Sequence, residues 1–312
     1  MPPGIEKKKS SLDYPLLARK IVEASGESDS SKLPAGLYVV GTPIGHLGDI
    51  SLRALVTLAR VDRIACEDTR VSGGMLAKYG IKKPLLAYHD HNADKQRPVI
   101  LKQLAAGGTV ALISDAGMPL IADPGYKLVL ACREAGHDVT VIPGANAALT
   151  ALAGSGLPSH RFLFVGFLPP KKAARRKIIE TLSNVPVTLL FYEAPQRLAD
   201  TLKDFADIFG ERPSAVAREL TKLFEETRRG TLGELADFYS TRAVKGEVTL
   251  LVGGAEKTDA VALDDDTLLR EHMENMSLRD AVTAVSTLTG VKKSEIYARA
   301  LKLAKKSGAS RK

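Results

Sequence analysis

Two α/β domains followed by a small, basic helical domain are what this chain predicts, and three observations carry that reading. Apolar runs of four or five residues alternate with segments whose apolar residues recur at helical spacing. The turns between them are short and rich in glycine, proline and aspartate. Beyond the acidic run Asp264-Asp265-Asp266 the pattern turns wholly helical and cationic. At 312 residues the chain is too long for one ordinary core and suits two domains with an appendage. The boundaries read as a disordered extension over 1–34, α/β domains over 35–153 and 154–258, and a helical domain over 264–312.

The stretch TVALISDAGMPLIADPG (109–125) displays the repeating unit. Val110, Ala111, Leu112 and Ile113 have the length and β-branched content of a strand buried on both faces. Ser114-Asp115-Ala116-Gly117 then breaks it with polarity, a carboxylate and a residue free to take positive φ. Asp123-Pro124 reads as the N-cap and first-turn proline of a helix carrying Leu128, Val129 and Cys132. Ligands of open α/β sheets bind at loops leaving the carboxyl ends of strands, so this loop is the first candidate site.

The remaining elements follow in order. Residues 1–34 are polar and broken by Gly26-Glu27-Ser28-Asp29-Ser30-Ser31, which predicts disorder. A strand over 37–40 precedes a helix marked by Leu52, Leu55, Val56 and Ala59. Strands at 63–66 and 85–88 flank a helix over 71–79 that Gly80 ends, and a helix over 93–106 leads through Gly107-Gly108 into the 109–125 stretch. A strand at 139–142, Pro143-Gly144 and an alanine-rich helix to about Gly154 close the first half. Such alternation argues for a largely parallel sheet with helices on both faces.

Gly154, Gly156 and Pro158 mark a linker. The second block reads as strands at 162–165, 187–191, 215–217 and 248–252 with helices near Ile178 and Leu198; a polar strand within 224–231 would make this sheet mixed. At the C-terminal end, Ser277 with Asp280 resembles a capping box. Ala281, Val285 and Leu288 form one stripe, and Gly290 turns the chain into a helix bearing Ile296, Ala300 and Leu303. This pair is either a helix-turn-helix or a packing hairpin.

Composition narrows the function classes. No apolar run approaches the roughly 18 residues of a membrane span, and MPPGIEKKKS lacks the apolar segment of a secretory signal, so a cytoplasmic protein without membrane contact is expected. Cys66 and Cys132 fall inside apolar elements and read as reduced core residues. The net charge is +8, of which the residues after Val291 carry +7: Lys292, Lys293, Arg299, Lys302, Lys305, Lys306, Arg311 and Lys312 against Glu295. A second basic run comprises Lys171, Lys172, Arg175, Arg176 and Lys177, partly ahead of a helix, which favours a mobile phosphate-contacting loop. A solvated face is the alternative for both.

Several strand-end loops carry polar clusters. Gly41-Thr42-Pro43-Ile44-Gly45-His46-Leu47-Gly48 would let backbone amides approach a ligand, but its glycines miss the GxGxxG spacing of a dinucleotide site, which argues against a nucleotide-dependent oxidoreductase. Glu67-Asp68-Thr69-Arg70 can hold hydroxyls or orient a base, or simply cap the next helix. His89-Asp90-His91-Asn92 lacks a third ligand at metal spacing, so no metal is expected. Tyr192-Glu193-Ala194-Pro195, Arg218-Glu219-Leu220-Thr221-Lys222 and Lys245-Gly246-Glu247 occupy strand ends in the second block.

In order, VGTPIGHLGDIS (40–51), ACEDTR (65–70), HDHN (89–92), SDAGMPLIADPGY (114–126), GLPSHRFLFVGFLP (156–169), FYEAPQRL (191–198), ARELTK (217–222) and KGEV (245–248) resemble the ribosomal RNA small-subunit methyltransferase I family of the tetrapyrrole-methylase superfamily. The likeness spans about 37–254, and the last helices are similar to that family's C-terminal helix-turn-helix. The resemblance implies two α/β domains of the tetrapyrrole-methylase type with the active cleft between them. It also implies S-adenosylmethionine-dependent methylation of a cytidine 2′-hydroxyl in the decoding region of 16S ribosomal RNA, in the small subunit, by a homodimer. Carried over by position, the cofactor would meet Thr42, Pro43, Ser114, Asp115, Ala116, Gly117, Leu120, Ile121, Tyr192, Ala217, Arg218, Gly246, Glu247 and Val248. Gly41, His46, Met118 and the Ala145-Asn146 pair depart from the family's usual residues. Glu67, Asp68, Arg70, Glu219 and Lys222 are the catalytic candidates, and Lys171, Lys172, Arg175, Arg176, Lys292, Lys293, Arg299 and Lys302 the RNA contacts. The competing readings are a small-molecule tetrapyrrole methylase and a non-catalytic RNA-binding assembly protein.

Overall fold

A computed structural model of the chain describes residues 12–24, 33–255, 265–289 and 291–309. The first α/β lobe opens with helix α1 (Tyr14–Ala24) and continues through β1 (Gly36–Val40), α2 (Leu52–Arg60), β2 (Arg63–Cys66), α3 (Thr69–Lys78), β3 (Leu85–Ala87), α4 (Ala93–Ala105), β4 (Thr109–Leu112), α5 (Tyr126–Glu134) and β5 (Val139–Ile142). Its five strands are all parallel in the order β3-β2-β4-β1-β5.

Period-2 alternation sorts the strand residues between two cores. Tyr38, Val40, Ile64, Cys66 and Ala111 face α1, α2 and α3, packing on Leu55, Leu58, Leu76 and Tyr79. Leu37, Val39, Ala65, Val110 and Leu112 face α4 and α5, packing on Ile100, Leu104, Leu128 and Cys132. Both cysteines are buried and free, in agreement with their reading as core residues.

Part of the expected disordered extension is ordered. Asp13 accepts the Leu16 amide at 3.0 Å and starts α1, whose Ala18 is buried and whose Tyr14 meets Tyr79 edge-to-face at 6.0 Å. Apolar Tyr14, Ala18 and Ile21 recur at helical spacing, and their packing on the α2–α3 core offsets the polarity around them. Residues 1–11 and 25–32 of that extension lie outside the described residues.

The second lobe comprises α6 (Ala147–Ser155), β6 (Phe162–Phe167), α7 (Lys172–Thr181), β7 (Thr188–Glu193), α8 (Leu198–Phe209), β8 (Pro213–Arg218), β9 (Glu226–Thr231), α9 (Leu232–Ser240) and β10 (Val248–Val252). Its sheet, ordered β6-β7-β10-β8-β9, is mixed: β6 and β7 are parallel and the other pairs antiparallel. Leu189, Phe191, Val216 and Leu250 pack on α7, α8 and α9. Leu190, Ala215, Ala217 and Leu251 pack on Ala148, Ala151 and Leu152 of α6. Helix α6 thus covers the second sheet, so the lobes divide ahead of it, near Pro143–Asn146, and not at the glycines after it. Helix α9, which the sequence reading does not place, buries Leu232, Leu235 and Tyr239 at helical spacing; Thr231 and Glu234 start it with a reciprocal capping box.

The C-terminal unit, residues 255–312, is compact by itself. It contains α10 (Asp265–Asn275), α11 (Leu278–Thr289) and α12 (Lys293–Ala309). Leu269, Val282, Val285, Ile296, Ala300 and Leu303 form its core. Asp265 and Asp266 of the acidic run begin α10, where carboxylates suit the positive helix end. Ser277 and Asp280 are reciprocally bonded at 2.6 and 3.3 Å at the start of α11, as the sequence indicated. Gly290, Arg311, Lys312, Asp264 and the side chains of Leu288, Lys305 and Lys306 lie outside the described residues.

In the first lobe, the loops after β1 and β5 touch through bare backbone. A Cβ built on Gly41 would stand 2.6 Å from the Gly144 Cα, and one on Gly144 would stand 2.7 Å from the Gly41 Cα. Neither neighbour is a side chain that can swing aside. Gly41→Ala and Gly144→Ala are therefore each expected to cost about 1–3 kcal/mol of stability, read as a lower urea midpoint at unchanged slope.

Candidate active-site cleft

Strands β1 and β4 are neighbours, so the loops leaving their carboxyl ends emerge side by side. The Thr42 amide donates to the Gly117 carbonyl at 2.9 Å, the Thr42 hydroxyl lies 3.3 Å from the Ser114 carbonyl and 3.2 Å from that of Gly117, and the Ser114 hydroxyl donates to Gly117 at 3.1 Å. Thr42 and Ser114 are buried, so they tie the two loops together from behind.

Beyond this tie the chain coils tightly. Gly117, Leu120, Ala122 and Gly125 take φ of 86, 70, 62 and 140°. Left-handed conformations at Leu120 and Ala122 cost on the order of 1–2 kcal/mol each. Helix α5 starts only at Tyr126, with Gly125 as its N-cap. The expected N-cap role of Asp123 is therefore wrong; the extra turn carries it short of the helix and leaves its side chain half-buried in the cleft wall. Burial pushes the Asp123 carboxyl up to about 6; Ser114 opposes the rise and the charges of Glu67 and Asp115 add to it.

In the second lobe, the ends of β7 and β10 face this loop. Gly246 has φ of 86°, and a Cβ there would run into the Glu219 carboxylate. Lys222 bridges Glu219 at 2.8 Å and Glu247 at 3.1 Å, while the Glu247 amide donates to Glu219 at 3.1 Å. Burial would lower the Lys222 ammonium, but its hydrogen bonds to Glu219 and Glu247 outweigh this and raise it. Its hydrogen bond holds the Glu219 carboxyl below the ordinary carboxylate value. The lobes meet where the His46 amide donates to the Thr221 hydroxyl at 3.0 Å. The His46 ring accepts the Gly48 amide at 3.1 Å and so serves its turn.

Between the lobes lies a cleft of about 380 Å³. Of the expected cofactor contacts, Asp115, Ala116, Gly117 and Ile121 line it from the first lobe and Tyr192, Gly246, Glu247 and Val248 from the second. Thr42, Pro43, Ser114, Leu120, Ala217 and Arg218 do not. Leu120 packs into the core beneath the loop, Ala217 is buried against α6, and Arg218 pairs with Glu226 at 3.0 Å. Sequence reasoning missed Ile44, Asn146, Phe167 and Thr249, which also line the cleft. Phe167 contacts Tyr192 at 5.6 Å, and Asn146 caps α6 by accepting the Leu149 amide. The aromatic in GFLP and the asparagine before an alanine-rich helix were the available signals.

Glu67, Asp68 and Arg70 border a separate polar hollow of about 550 Å³, shared with His89, His91 and Asp115. Asp68 caps α3 by accepting the Arg70 amide and is gripped by the Arg70 guanidinium at 2.6 Å, which holds its carboxyl well below the usual range. Arg70 thus pairs with Asp68. The five catalytic candidates do not form one cluster: three flank the hollow, while Glu219 and Lys222 are joined across the cleft-side loops.

The basic run of 171–177 also departs from expectation. Helix α7 begins at Lys172, and Arg175 points inward, 4% exposed, onto Asp204 at 2.6 Å. Arg176 bridges Asp204 at 2.9 Å and Asp207 at 3.0 Å. Helical periodicity turns Arg175 toward the core, so neither it nor the paired Arg176 is a mobile phosphate contact. Lys171, Lys172, Lys292, Lys293, Arg299 and Lys302 are exposed.

The two-lobe fold is shared with the tetrapyrrole methylases. The family model for Tetrapyrrole (Corrin/Porphyrin) Methylases matches residues 36–236, and the model of an RsmI C-terminal HTH domain matches 259–304. Solved structures agree in fold: a cobalt precorrin-4 methyltransferase, 18% identical over 70% of this chain and 94% of its own, superposes with a TM-score of 0.54. Uroporphyrin-III C-methyl transferase from Thermus thermophilus complexed with S-adenyl homocysteine, 20% identical over 70% and 97%, gives 0.51. The curated relatives are nearer. Ribosomal RNA small subunit methyltransferase I of Mesorhizobium japonicum is 48% identical over 90% of this chain and 97% of its own, and that of Haemophilus influenzae 45% over 84% and 94%. The chain belongs to the ribosomal RNA small subunit methyltransferase I family.

The buried ion pair yields a test that separates packing from RNA contact. Asp204→Ala strands the Arg175 charge in the core and is expected to destabilise the protein by about 3–5 kcal/mol, measured by urea unfolding. Neutralising exposed Lys171 and Lys172 together should leave that unfolding midpoint unchanged.

Proposed function

We propose that this protein transfers a methyl group from S-adenosylmethionine to the 2′-hydroxyl of a cytidine in the decoding region of 16S ribosomal RNA, acting as a homodimer on the small ribosomal subunit. The observation that carries the reading is the convergence of strand-end loops from both lobes on one cleft of about 380 Å³. Its wall fits a cationic, adenosine-bearing donor. Gly117 and Gly246 offer bare backbone, Tyr192 and Phe167 an aromatic ledge, and Asp115, Asp123 and Glu247 negative charge.

When bound, the cofactor supplies an electrophilic methyl group on a sulfonium. This chain's residues would hold the donor between Asp115–Gly117 and Gly246–Val248, exclude water with Ile44, Ile121 and Phe167, and accept the proton that the attacking hydroxyl loses. Positioning of this kind is worth several kcal/mol of barrier. Lys222 keeps the Glu219 and Glu247 loops in register, a holding role. The exposed cations of α12 and Lys171-Lys172 would supply the sequence-independent attraction to phosphates. Among the described residues no helix is long and apolar enough to cross a membrane.

Calorimetry is expected to show saturable S-adenosylmethionine binding, and labelled cofactor with unmodified small subunits should place one methyl on a cytidine 2′-oxygen. Changing Lys292, Lys293, Arg299 and Lys302 to glutamine should reduce transfer to the subunit at least tenfold and flatten its salt dependence, with cofactor affinity unchanged. Methyl on a base nitrogen refutes the hydroxyl assignment. RNA binding without cofactor binding indicates an assembly protein, and tetrapyrrole methylation indifferent to the tail charges indicates the small-molecule relatives' chemistry.

A further inference from the structure

We infer that Tyr79, backed by helix α1, is a positioning residue. Its phenol pins the Leu47 carbonyl and so sets how the first lobe's cleft loop closes on Thr221 of the second lobe. The assignment rests on the reading of the cleft as the S-adenosylmethionine site, because cofactor binding is what the pin governs.

The loop concerned is short and held at both ends. At one end, Thr42 is tied to Gly117 and Ser114 behind the cleft. At the other, the Tyr79 hydroxyl donates to the Leu47 carbonyl at 2.6 Å. Between the two ties, Ile44 lines the cleft, and the His46 amide reaches the Thr221 hydroxyl. A Cβ on Gly45 would stand 2.5 Å from the Lys222 Cγ and 2.7 Å from the Thr221 hydroxyl oxygen, so the loops of the two lobes touch there. Lys222 in turn holds Glu219 and Glu247, and Glu247 lines the far wall. One run of contacts therefore leads from Tyr79 through Leu47, His46 and Thr221 across the cleft. Without the pin at Leu47, the segment that carries Ile44 and His46 is free to hinge about Thr42.

Local sequence fixes where the Tyr79 ring stands. Gly80, with φ of 72°, ends α3 in a Schellman motif: its amide donates to Ala77 and that of Ile81 to Leu76, both at 3.0 Å. Tyr79 sits at this cap, only 2% exposed. A buried tyrosine needs a partner for its hydroxyl, and here the partner is a carbonyl 32 positions back along the chain. Burial pushes the phenol well above its ordinary value, with Tyr14 and Asp49 adding to the rise, so it stays protonated and able to donate. The Leu47 carbonyl also receives the Ile50 amide, but at a long 3.4 Å.

Helix α1 closes on the ring from the other side. Tyr14 meets Tyr79 edge-to-face at 6.0 Å. A Cβ on Gly80 would lie 3.3 Å from the Pro15 Cβ, so the cap and the helix are in contact as well. The Tyr14 hydroxyl stands near the loop itself, 3.7 Å from where a Gly48 Cβ would be. Ala18 and Ile21 seat the helix on the α2–α3 core. Helix α1 precedes the strand–helix alternation and lines the cleft with none of its described residues. Its influence on the site runs through Tyr79.

The test is a double-mutant cycle. Tyr79→Phe keeps the ring and removes the hydroxyl, while Thr221→Val keeps the branched shape and removes the acceptor of the His46 amide. Each single change is expected to weaken S-adenosylmethionine binding, measured by calorimetry, about threefold to tenfold, the worth of one hydrogen bond. The double variant should bind within about twofold of the weaker single variant, because both changes open the same latch. Tyr14→Ala should weaken binding in the same direction. Hydrogen exchange across 219–225, in the second lobe, should quicken in Tyr79→Phe although that residue belongs to the first. Losses that multiply in the double variant overturn the assignment, as does exchange across 219–225 that stays unchanged. Affinity within about twofold of wild type in Tyr79→Phe or Tyr14→Ala, even with a lowered urea midpoint, likewise leaves Tyr79 a packing residue. Wild-type protein that binds S-adenosylmethionine yet methylates no cytidine 2′-oxygen overturns the proposed reaction alone. Wild-type protein that binds no S-adenosylmethionine overturns both.

Discussion

The carbonyl of Gly117 is the joint on which the site depends. Thr42 at the end of β1 and Ser114 at the end of β4 both close on it, through one amide and two hydroxyls within 3.2 Å. All three groups are shielded from water, where losing a partner leaves a desolvated polar atom worth about 1–3 kcal/mol. The tie sets where the following loop begins, and the succession of left-handed residues from Gly117 to Gly125 sets where it goes. Without that anchoring, Leu120 and Ala122 would relax to ordinary φ and the loop would lie down as the first turn of α5.

The second lobe solves the same problem with charge. Lys222 holds Glu219 and Glu247 on converging loops, and Gly246 lets the carboxylate come in against bare backbone. Glu219 and Thr221 there adopt φ of 50 and 64°, so this loop too carries backbone strain beside the cleft. The His46–Thr221 bond then links a wall held by backbone carbonyls to an ion-paired one. Being partly exposed, the ion pairs contribute chiefly geometry and little net stability.

Strand alternation made most of the architecture legible. The unbroken apolar run Leu37–Val40 is what a strand buried on both faces requires, with Leu37 and Val39 facing one core and Tyr38 and Val40 the other, and short turns between alternating strands and helices implied parallel pairing. What stayed hidden depends on partners remote in sequence. The lobe to which α6 belongs is decided by Leu190, Ala215 and Leu251 far downstream, and the inward turn of Arg175 by Asp204 on another helix. Asp123 was misread because Asp-Pro is a strong local N-cap signal, overridden here by a loop one turn longer than local preference favours. At the cleft, some residues carried over by the motifs, such as Asp115, Gly117, Gly246 and Glu247, line the wall, and others do not. Thr42, Ser114 and Ala217 support the wall from behind, a distinction that no spacing rule encodes.

Charge segregation follows from the chemistry of the two partners. Asp115, Asp123, Glu193 and Glu247 make the cleft acidic, which attracts a sulfonium but repels RNA phosphates. Two unit charges 4 Å apart interact by about 4 kcal/mol at an effective dielectric near 20, so phosphates would be driven from the cleft unless other groups held the nucleic acid. Most of the net charge of +8 resides after Val291, outside the α/β lobes. A basic cleft would bind RNA more tightly yet weaken a cationic donor and lower the proton affinity of any carboxylate base. Keeping most of the net positive charge on a separate unit leaves the acidic wall to the donor, while attraction to the polyanion acts through screened, longer-range Coulomb forces that fade over about 8–10 Å at physiological salt.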